Sequence, residues 1–178
     1  MERRRPALDL ISHSPEQTRQ FGAHLGRMLR AGDLVLLAGQ IGAGKTTLVQ
    51  GIARGLGIEG YVQSPTFTLA AEYDGRTGDG RAVRLYHLDL YRLEDAAEFE
   101  TFGYEEYLTE PDGITIIEWP DRLPEPLVED FLVIQIAYIA DTKRRLAFFP
   151  RGTRYDDLVT AFRPEVFGAR QRSAPPGD

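Results

Sequence analysis

The sequence predicts an α/β protein, a three-layer sandwich around a mixed, mostly parallel sheet with added antiparallel strands. Three observations predict it. Leu34-Val35-Leu36-Leu37-Ala38 and Ile114-Thr115-Ile116-Ile117 are short apolar runs, the pattern of strands buried on both faces of a parallel sheet. The first run passes through a glycine-rich turn straight into an amphipathic stretch, a strand–turn–helix unit. Phe67, Leu69, Ala71 and Tyr73 alternate along the chain, as do Val83, Leu85, His87 and Asp89, and the segment Asp74 to Gly80 between them reads as an exposed hairpin loop.

The remaining elements follow in order. Residues 1–13 form an N-terminal segment, and residues 14–163 one domain. Ser14-Pro15-Glu16-Gln17 reads as a capped helix start, with Phe21, Leu25, Met28 and Leu29 as its apolar stripe and Gly32 as its stop. Leu48, Val49, Ile52 and Leu56 mark the inward face of a second helix that Gly57 ends. Residues 94–108 are acidic and helical in pattern, Pro120 to Pro126 is a loop, and 131–139 with 144–149 form a late hairpin. A short helix is expected over 155–162. Residues 164–178 read as a flexible tail, and the end from Gly168 has a disordered composition.

Composition narrows the chemistry. The 178 residues contain no cysteine, which excludes thiol catalysis, disulfides and cysteine-bound metals. Hydrophobic residues make up 42% and charged residues 27%, a globular balance. No apolar run approaches a membrane span, and no apolar stretch follows the basic start as a secretory signal requires, so a cytoplasmic protein with no membrane partner is expected. A net charge of −6 argues against a broad nucleic-acid surface. Only Lys45 and Lys143 are lysines among 21 basic residues, so position 45 stands out as a place where an arginine fork would not serve.

Lys45 lies in Gly39-Gln40-Ile41-Gly42-Ala43-Gly44-Lys45-Thr46, which matches the phosphate-loop pattern G-x-x-x-x-G-K-[ST] throughout. Glycines let the main chain curl round an anion with successive N–H groups turned inward, and the loop opens into a helix whose N-terminus carries about half a positive charge. The backbone of Gly42, Ala43, Gly44, Lys45, Thr46 and Thr47 is the expected cradle. The Lys45 ammonium reaches β- and γ-phosphates, and the Thr46 hydroxyl is a magnesium ligand. The fold is thus expected to be P-loop NTPase-like, with ATP and Mg²⁺ as cofactors.

Hydrolysis needs further groups at neighbouring strand ends. Glu118 ends the run 114–117, and Asp89 ends His87-Leu88-Asp89. Either can serve magnesium or the attacking water, and spacing does not decide which. Ser64-Pro65-Thr66-Phe67-Thr68 lies where a switch would offer Thr66 to the metal or the terminal phosphate, although an ordinary turn reads the same. Trp119 either covers the nucleotide or is a partly buried core residue. His87 reads as a packed, hydrogen-bonded histidine, and the Glu94–Glu106 cluster as a solvated face or a docking surface for a basic partner.

Four segments together carry a family resemblance: Gly-Gln-Ile-Gly-Ala-Gly-Lys-Thr-Thr, Ser-Pro-Thr-Phe-Thr-Leu, His-Leu-Asp-Leu-Tyr-Arg-Leu and Ile-Ile-Glu-Trp-Pro-Asp-Arg-Leu. In this order and spacing they resemble the bacterial tRNA threonylcarbamoyladenosine biosynthesis protein TsaE family over residues 14–150. The first segment is widely shared; the other three together are specific. The resemblance implies a cytoplasmic Mg-dependent ATPase that supports turnover by TsaD and TsaB homologues, meets tRNA only through that complex, and does not itself transfer the threonylcarbamoyl group. It implies Lys45 and Thr46 for phosphate and metal, Glu118 for magnesium and Asp89 as a metal-linked or catalytic carboxylate. It further implies Thr66 as a switch threonine, Trp119 beside the nucleotide and, on looser matches, Arg144, Ser14 and Thr18 near the nucleotide. With no arginine finger or water-positioning glutamine recognisable, hydrolysis is expected to be weak without the partners. The alternative use of such a loop is a small-molecule kinase. Guanine recognition through Asn-Lys-x-Asp is impossible because the chain has no asparagine.

Overall fold

The structure is a computed structural model that describes residues 4–123 and 128–172. A seven-stranded sheet runs through it. The strands are β1 (Leu8–Ser12), β2 (Leu34–Ala38), β3 (Ala70–Arg76), β4 (Ala82–Asp89), β5 (Gly113–Glu118), β6 (Phe131–Ala140) and β7 (Lys143–Arg151), in the spatial order β1-β7-β6-β2-β5-β4-β3. The helices are α1 (Pro15–Met28), α2 (Lys45–Gly55), α3 (Ala96–Phe102), α4 (Glu105–Thr109) and α5 (Thr153–Arg172).

The sheet is mixed, as the sequence predicts. Its centre is parallel, with β2 paired to both β5 and β6 and β4 paired to β5. The antiparallel pairings β3–β4, β6–β7 and β1–β7 flank that centre and equal the parallel ones in number. Alternation along the strands feeds two cores. Val35 and Leu37 of β2, Leu85 of β4 and Ile114 and Ile116 of β5 face α1, α2 and α5. Leu34, Leu36, Leu88 and Ile117 face the α3–α4 side with Phe99 and Tyr104. Val35 and Leu37 have no exposed surface, and full burial of each is worth about 1.5–3 kcal/mol.

The α1 start is capped as read: Ser14 Oγ accepts from the Gln17 N–H at 3.0 Å, and Gln17 Oε1 accepts from the His13 N–H at 2.7 Å. α1 and α2 pack closely because they meet through glycines. A Cβ on Gly22 would lie 2.6 Å from the Leu48 carbonyl oxygen of α2. Asp33, at the entry to β2, accepts a two-pronged bond from Arg154, with Nη2 at 2.7 Å and Nε at 3.0 Å, which ties α5 to the sheet.

Several elements depart from the sequence expectation. Within the N-terminal segment 1–13, Leu8–Ser12 is a sheet strand with its alternate residues buried. The strand expected to include Phe67 begins at Ala70; Phe67 lies in a turn and is 82% exposed. The acidic stretch 94–108 breaks into two helices at Gly103, whose φ is +64°. The helix expected over 155–162 continues to Arg172, so residues 164–172 are not a flexible tail. Val166 extends the buried stripe of Leu158, Val159 and Phe162 beyond Pro164, and that packing outweighs the missing proline N–H. The rest of that tail, residues 173–178, and residues 124–127 of the expected loop lie outside the described residues. Among the described residues, no helix is long and apolar enough to cross a membrane.

Candidate functional site

Ala38 ends β2 at the carboxyl edge of the sheet, and the chain turns through Gly39–Gly44 into α2. Gly44 is the helix N-cap with φ +105°, and no side chain caps the helix. The first turn of α2 therefore offers its N–H groups, and the positive end of its dipole, to an anion. Gly39 is needed for a different reason: a Cβ there would lie 2.5 Å from the Ile136 carbonyl oxygen of β6.

Lys45 is 5% exposed. Its ammonium donates to the Gly39 and Gln40 carbonyl oxygens at 2.5 and 3.0 Å and stands 4.3 Å from the centre of the Trp119 ring. Burial holds its pKa below the ordinary lysine value, against the opposing pull of Glu118, Asp89 and Asp121.

The carboxylates come from adjacent parallel strands. β4 and β5 pair in register Asp89↔Glu118, and alternation turns His87, Asp89 and Glu118 to the face on which α2 packs. Both carboxylates are nearly buried, Asp89 at 4% and Glu118 at 3% exposure. They are held differently. Asp89 accepts bonds on both oxygens: Oδ2 from Ser64 Oγ (2.7 Å) and Thr66 Oγ1 (3.3 Å), Oδ1 from the Tyr91 N–H (3.0 Å). Glu118 accepts on Oε1 alone, from Thr46 Oγ1 (3.4 Å) and from His87 Nε2 (3.0 Å).

Two residues flanking these carboxylates have left-handed backbones unusual for side chains of their size: Leu69, φ +66°, and Trp119, φ +61°. Leu69 closes the Ser64–Thr68 turn, and its carbonyl oxygen accepts from the Asp89 N–H at 2.9 Å. The Trp119 turn lays the indole beside Lys45 and against the Tyr91 ring, with centroids 4.8 Å apart.

These groups line one cleft of about 390 Å³. Of the residues singled out in the sequence, Gly42, Gly44, Lys45, Thr46, Thr47, Thr66, Asp89, Glu118 and Trp119 line it. Ala43, also singled out, is buried and is not among the lining residues. Arg144 sits at the rear of the loop, donating from Nε to the Ala43 carbonyl oxygen at 3.0 Å and lying 4.8 Å from the Tyr138 ring centre. Ser14 and Thr18 do not line the cleft. Ser14 caps α1, and the Thr18 hydroxyl is 2.6 Å from that of Ser12. Ser12 pairs with Arg144 across β1 and β7, so both residues lie towards the Arg144 side. Ile41, Ser64 and Tyr91 line the cleft as well; Tyr91 was legible only as alternating with His87 and Asp89, and Ser64 only as part of the switch segment. A larger cavity of about 580 Å³ lies at the opposite end of the sheet, between Gly57, Arg76, Arg84 and Asp112, and contains none of this chemistry.

The donor set suits a small hard cation beside a polyphosphate: one hydroxyl and carboxylate oxygens on one side, an ammonium and an uncapped helix end on the other. Among the described residues no three His, Asp or Glu side chains converge on one point. Magnesium asks for no such cage, because it keeps waters and takes one or two carboxylates plus substrate phosphates.

Residues 12–146 match the family model described as Threonylcarbamoyl adenosine biosynthesis protein TsaE. The chain is 39% identical over 145 residues to the tRNA threonylcarbamoyladenosine biosynthesis protein TsaE of Bacillus subtilis (strain 168), covering 82% of this chain and 87% of that protein. It is 50% identical over 111 residues to the protein of that name from Synechocystis, covering 61% and 67%. The crystal structure of Bacillus subtilis YdiB superposes with a TM-score of 0.73 at 32% identity, over 89% of this chain and 95% of that one. With the phosphate loop and both strand-end carboxylates inside the matched region, the chain belongs to the TsaE family.

Proposed function

We propose that the protein binds Mg·ATP in this cleft and hydrolyses it, as the ATPase subunit of the cytoplasmic machinery that makes threonylcarbamoyladenosine in tRNA, and that its cycle supports turnover by TsaD and TsaB homologues. One observation carries the chemical part: the phosphate-loop hydroxyl of Thr46 and the strand-end carboxylate Glu118 bond to each other, beside an in-register Asp89. A loop that only gripped phosphate has no use for two buried carboxylates at its mouth.

In this reading the residues divide the work. The main chain of residues 42–47 and the Lys45 ammonium bind and orient the phosphates. Thr46 and Glu118 would hold the metal; Glu118 Oε2 carries no protein donor among the described residues. When bound, magnesium supplies charge neutralisation between the phosphates. Asp89, with both oxygens engaged, ties the metal side to the Ser64–Leu69 segment and orients water. The Trp119 indole shields the Lys45 ammonium from solvent. The lining residues Ile41 and Tyr91 are themselves exposed, which accords with weak hydrolysis until a partner covers the cleft.

Phosphate release measured with and without TsaD and TsaB homologues, alongside a pull-down in the presence and absence of ATP, tests this. Release that is slow alone, rises with the partners and disappears in Glu118→Ala and Asp89→Ala supports it. Unchanged release in both variants, or consumption of ATP only with a small-molecule acceptor, overturns it.

A further inference from the structure

We propose that His87 is the positioning residue of the metal side of this cleft: its imidazole fixes the Glu118 carboxylate so that one oxygen meets Thr46 and the other remains for the cation. The inference rests on the Mg·ATP reading above. His87 has no exposed surface, and among the described residues its one side-chain hydrogen bond is from Nε2 to Glu118 Oε1 at 3.0 Å. A carboxylate oxygen accepts in this bond, so Nε2 is the nitrogen that donates. The other ring nitrogen, Nδ1, is the one buried side-chain polar atom without a partner among the described residues.

The unpaired nitrogen argues against simple packing. Position 87 points into an apolar layer beside Leu85 and Ile116, where leucine or phenylalanine would fill the volume with no polar atom stranded. An imidazole is useful there only for its bond to Glu118. That bond and the Thr46 bond both fall on Oε1, so together they set the carboxylate plane and leave Oε2 without a protein donor. Asp89 needs no such support, because Ser64, Thr66 and the Tyr91 N–H already fix both of its oxygens. Hydrogen bonds to the groups that ligate a metal orient them, and their removal commonly weakens metal binding about 10- to 100-fold.

The test compares wild type with His87→Leu, which keeps bulk and removes the donor, and His87→Gln, whose amide can place an N–H on Glu118. ATP affinity is measured by calorimetry with Mg²⁺ and with EDTA. The proposal predicts that His87→Leu reduces the Mg-dependent gain in affinity about 10- to 100-fold, leaves the affinity in EDTA unchanged, and is rescued by His87→Gln. Nitrogen NMR of histidine-labelled wild type should show His87 in the Nε2–H tautomer, a readout independent of whether His87→Leu folds. A His87→Leu protein that gains from Mg²⁺ as wild type does, a glutamine variant that fails as leucine fails, or an Nδ1–H tautomer overturns the role of His87 alone. A wild type that takes up no Mg·ATP overturns the function on which the role rests.

Discussion

Replacing Lys45 with arginine keeps the charge and should still disable the site. The ammonium occupies a space bounded by two carbonyl oxygens at 2.5 and 3.0 Å and by the Trp119 ring at 4.3 Å, in a residue 5% exposed. A compact point charge with three donors fits there; a planar guanidinium that needs in-plane partners does not. Forcing it in costs about 1–3 kcal/mol of overpacking. Losing the charge-assisted phosphate contact costs about 1.5–3 kcal/mol. At about 1.4 kcal/mol per tenfold, the contact alone weakens Mg·ATP binding roughly 10- to 150-fold. Calorimetric titration of Lys45→Arg and Lys45→Ala, with melting temperatures recorded in parallel, reads this. Both variants should bind poorly. Wild-type affinity in Lys45→Arg would refute the claim that the pocket is shaped for an ammonium.

Other outcomes follow from the same geometry. Burial lowers the Lys45 pKa, so the nucleotide-free fold disfavours its charged form; between the folded and unfolded pKa values the unfolded chain binds more protons, and stability contributed by this group rises with pH. Mg·ATP affinity should in turn fall at a pH below the ordinary lysine range of about 10.4, and Lys45→Ala should lose that pH dependence in calorimetry. Removing both hydroxyl donors on Asp89 with Ser64→Ala and Thr66→Ala should slow phosphate release at least about tenfold, at about 1.5–3 kcal/mol for each bond to a charged acceptor, with a smaller change in ATP affinity. Gly22→Ala should destabilise the fold by about 1–3 kcal/mol in urea unfolding, because its Cβ meets the Leu48 carbonyl oxygen at 2.6 Å and must part α1 from α2. Trp119 is the single tryptophan and lines the cleft, so Mg·ATP should change the protein's tryptophan emission, and Lys45→Ala should abolish that response.

The features legible in the sequence were those enforced by local physics. Five apolar residues followed by glycines could only be a buried strand and a tight turn, so β2 and the phosphate loop were readable, as was the Ser14 cap. Asp89 and Glu118 were readable because each ends an alternating or apolar run. What was not legible depended on contacts far apart in the chain. β1 is five residues long and gains its place only by pairing with β7 more than a hundred residues later. The end of α5 was obscured by Pro164, whose local signal is overruled by burial of Val166. The unequal holding of the two carboxylates was also hidden, since it arises from Ser64 and Thr66 on one side and His87 and Thr46 on the other. Leu69 and Trp119 adopt backbones that their own side chains disfavour, so no propensity argument could have found them.

The most direct test is a crystal structure of the protein with Mg²⁺ and a non-hydrolysable ATP analogue. Phosphates should lie on the main chain of residues 42–47, and a metal about 2.0–2.1 Å from the Thr46 hydroxyl, the ordinary magnesium–oxygen distance, within reach of Glu118. Polyphosphate bound in the larger cavity between Arg76, Arg84 and Asp112, or a metal out of reach of both Glu118 and Asp89, would contradict it.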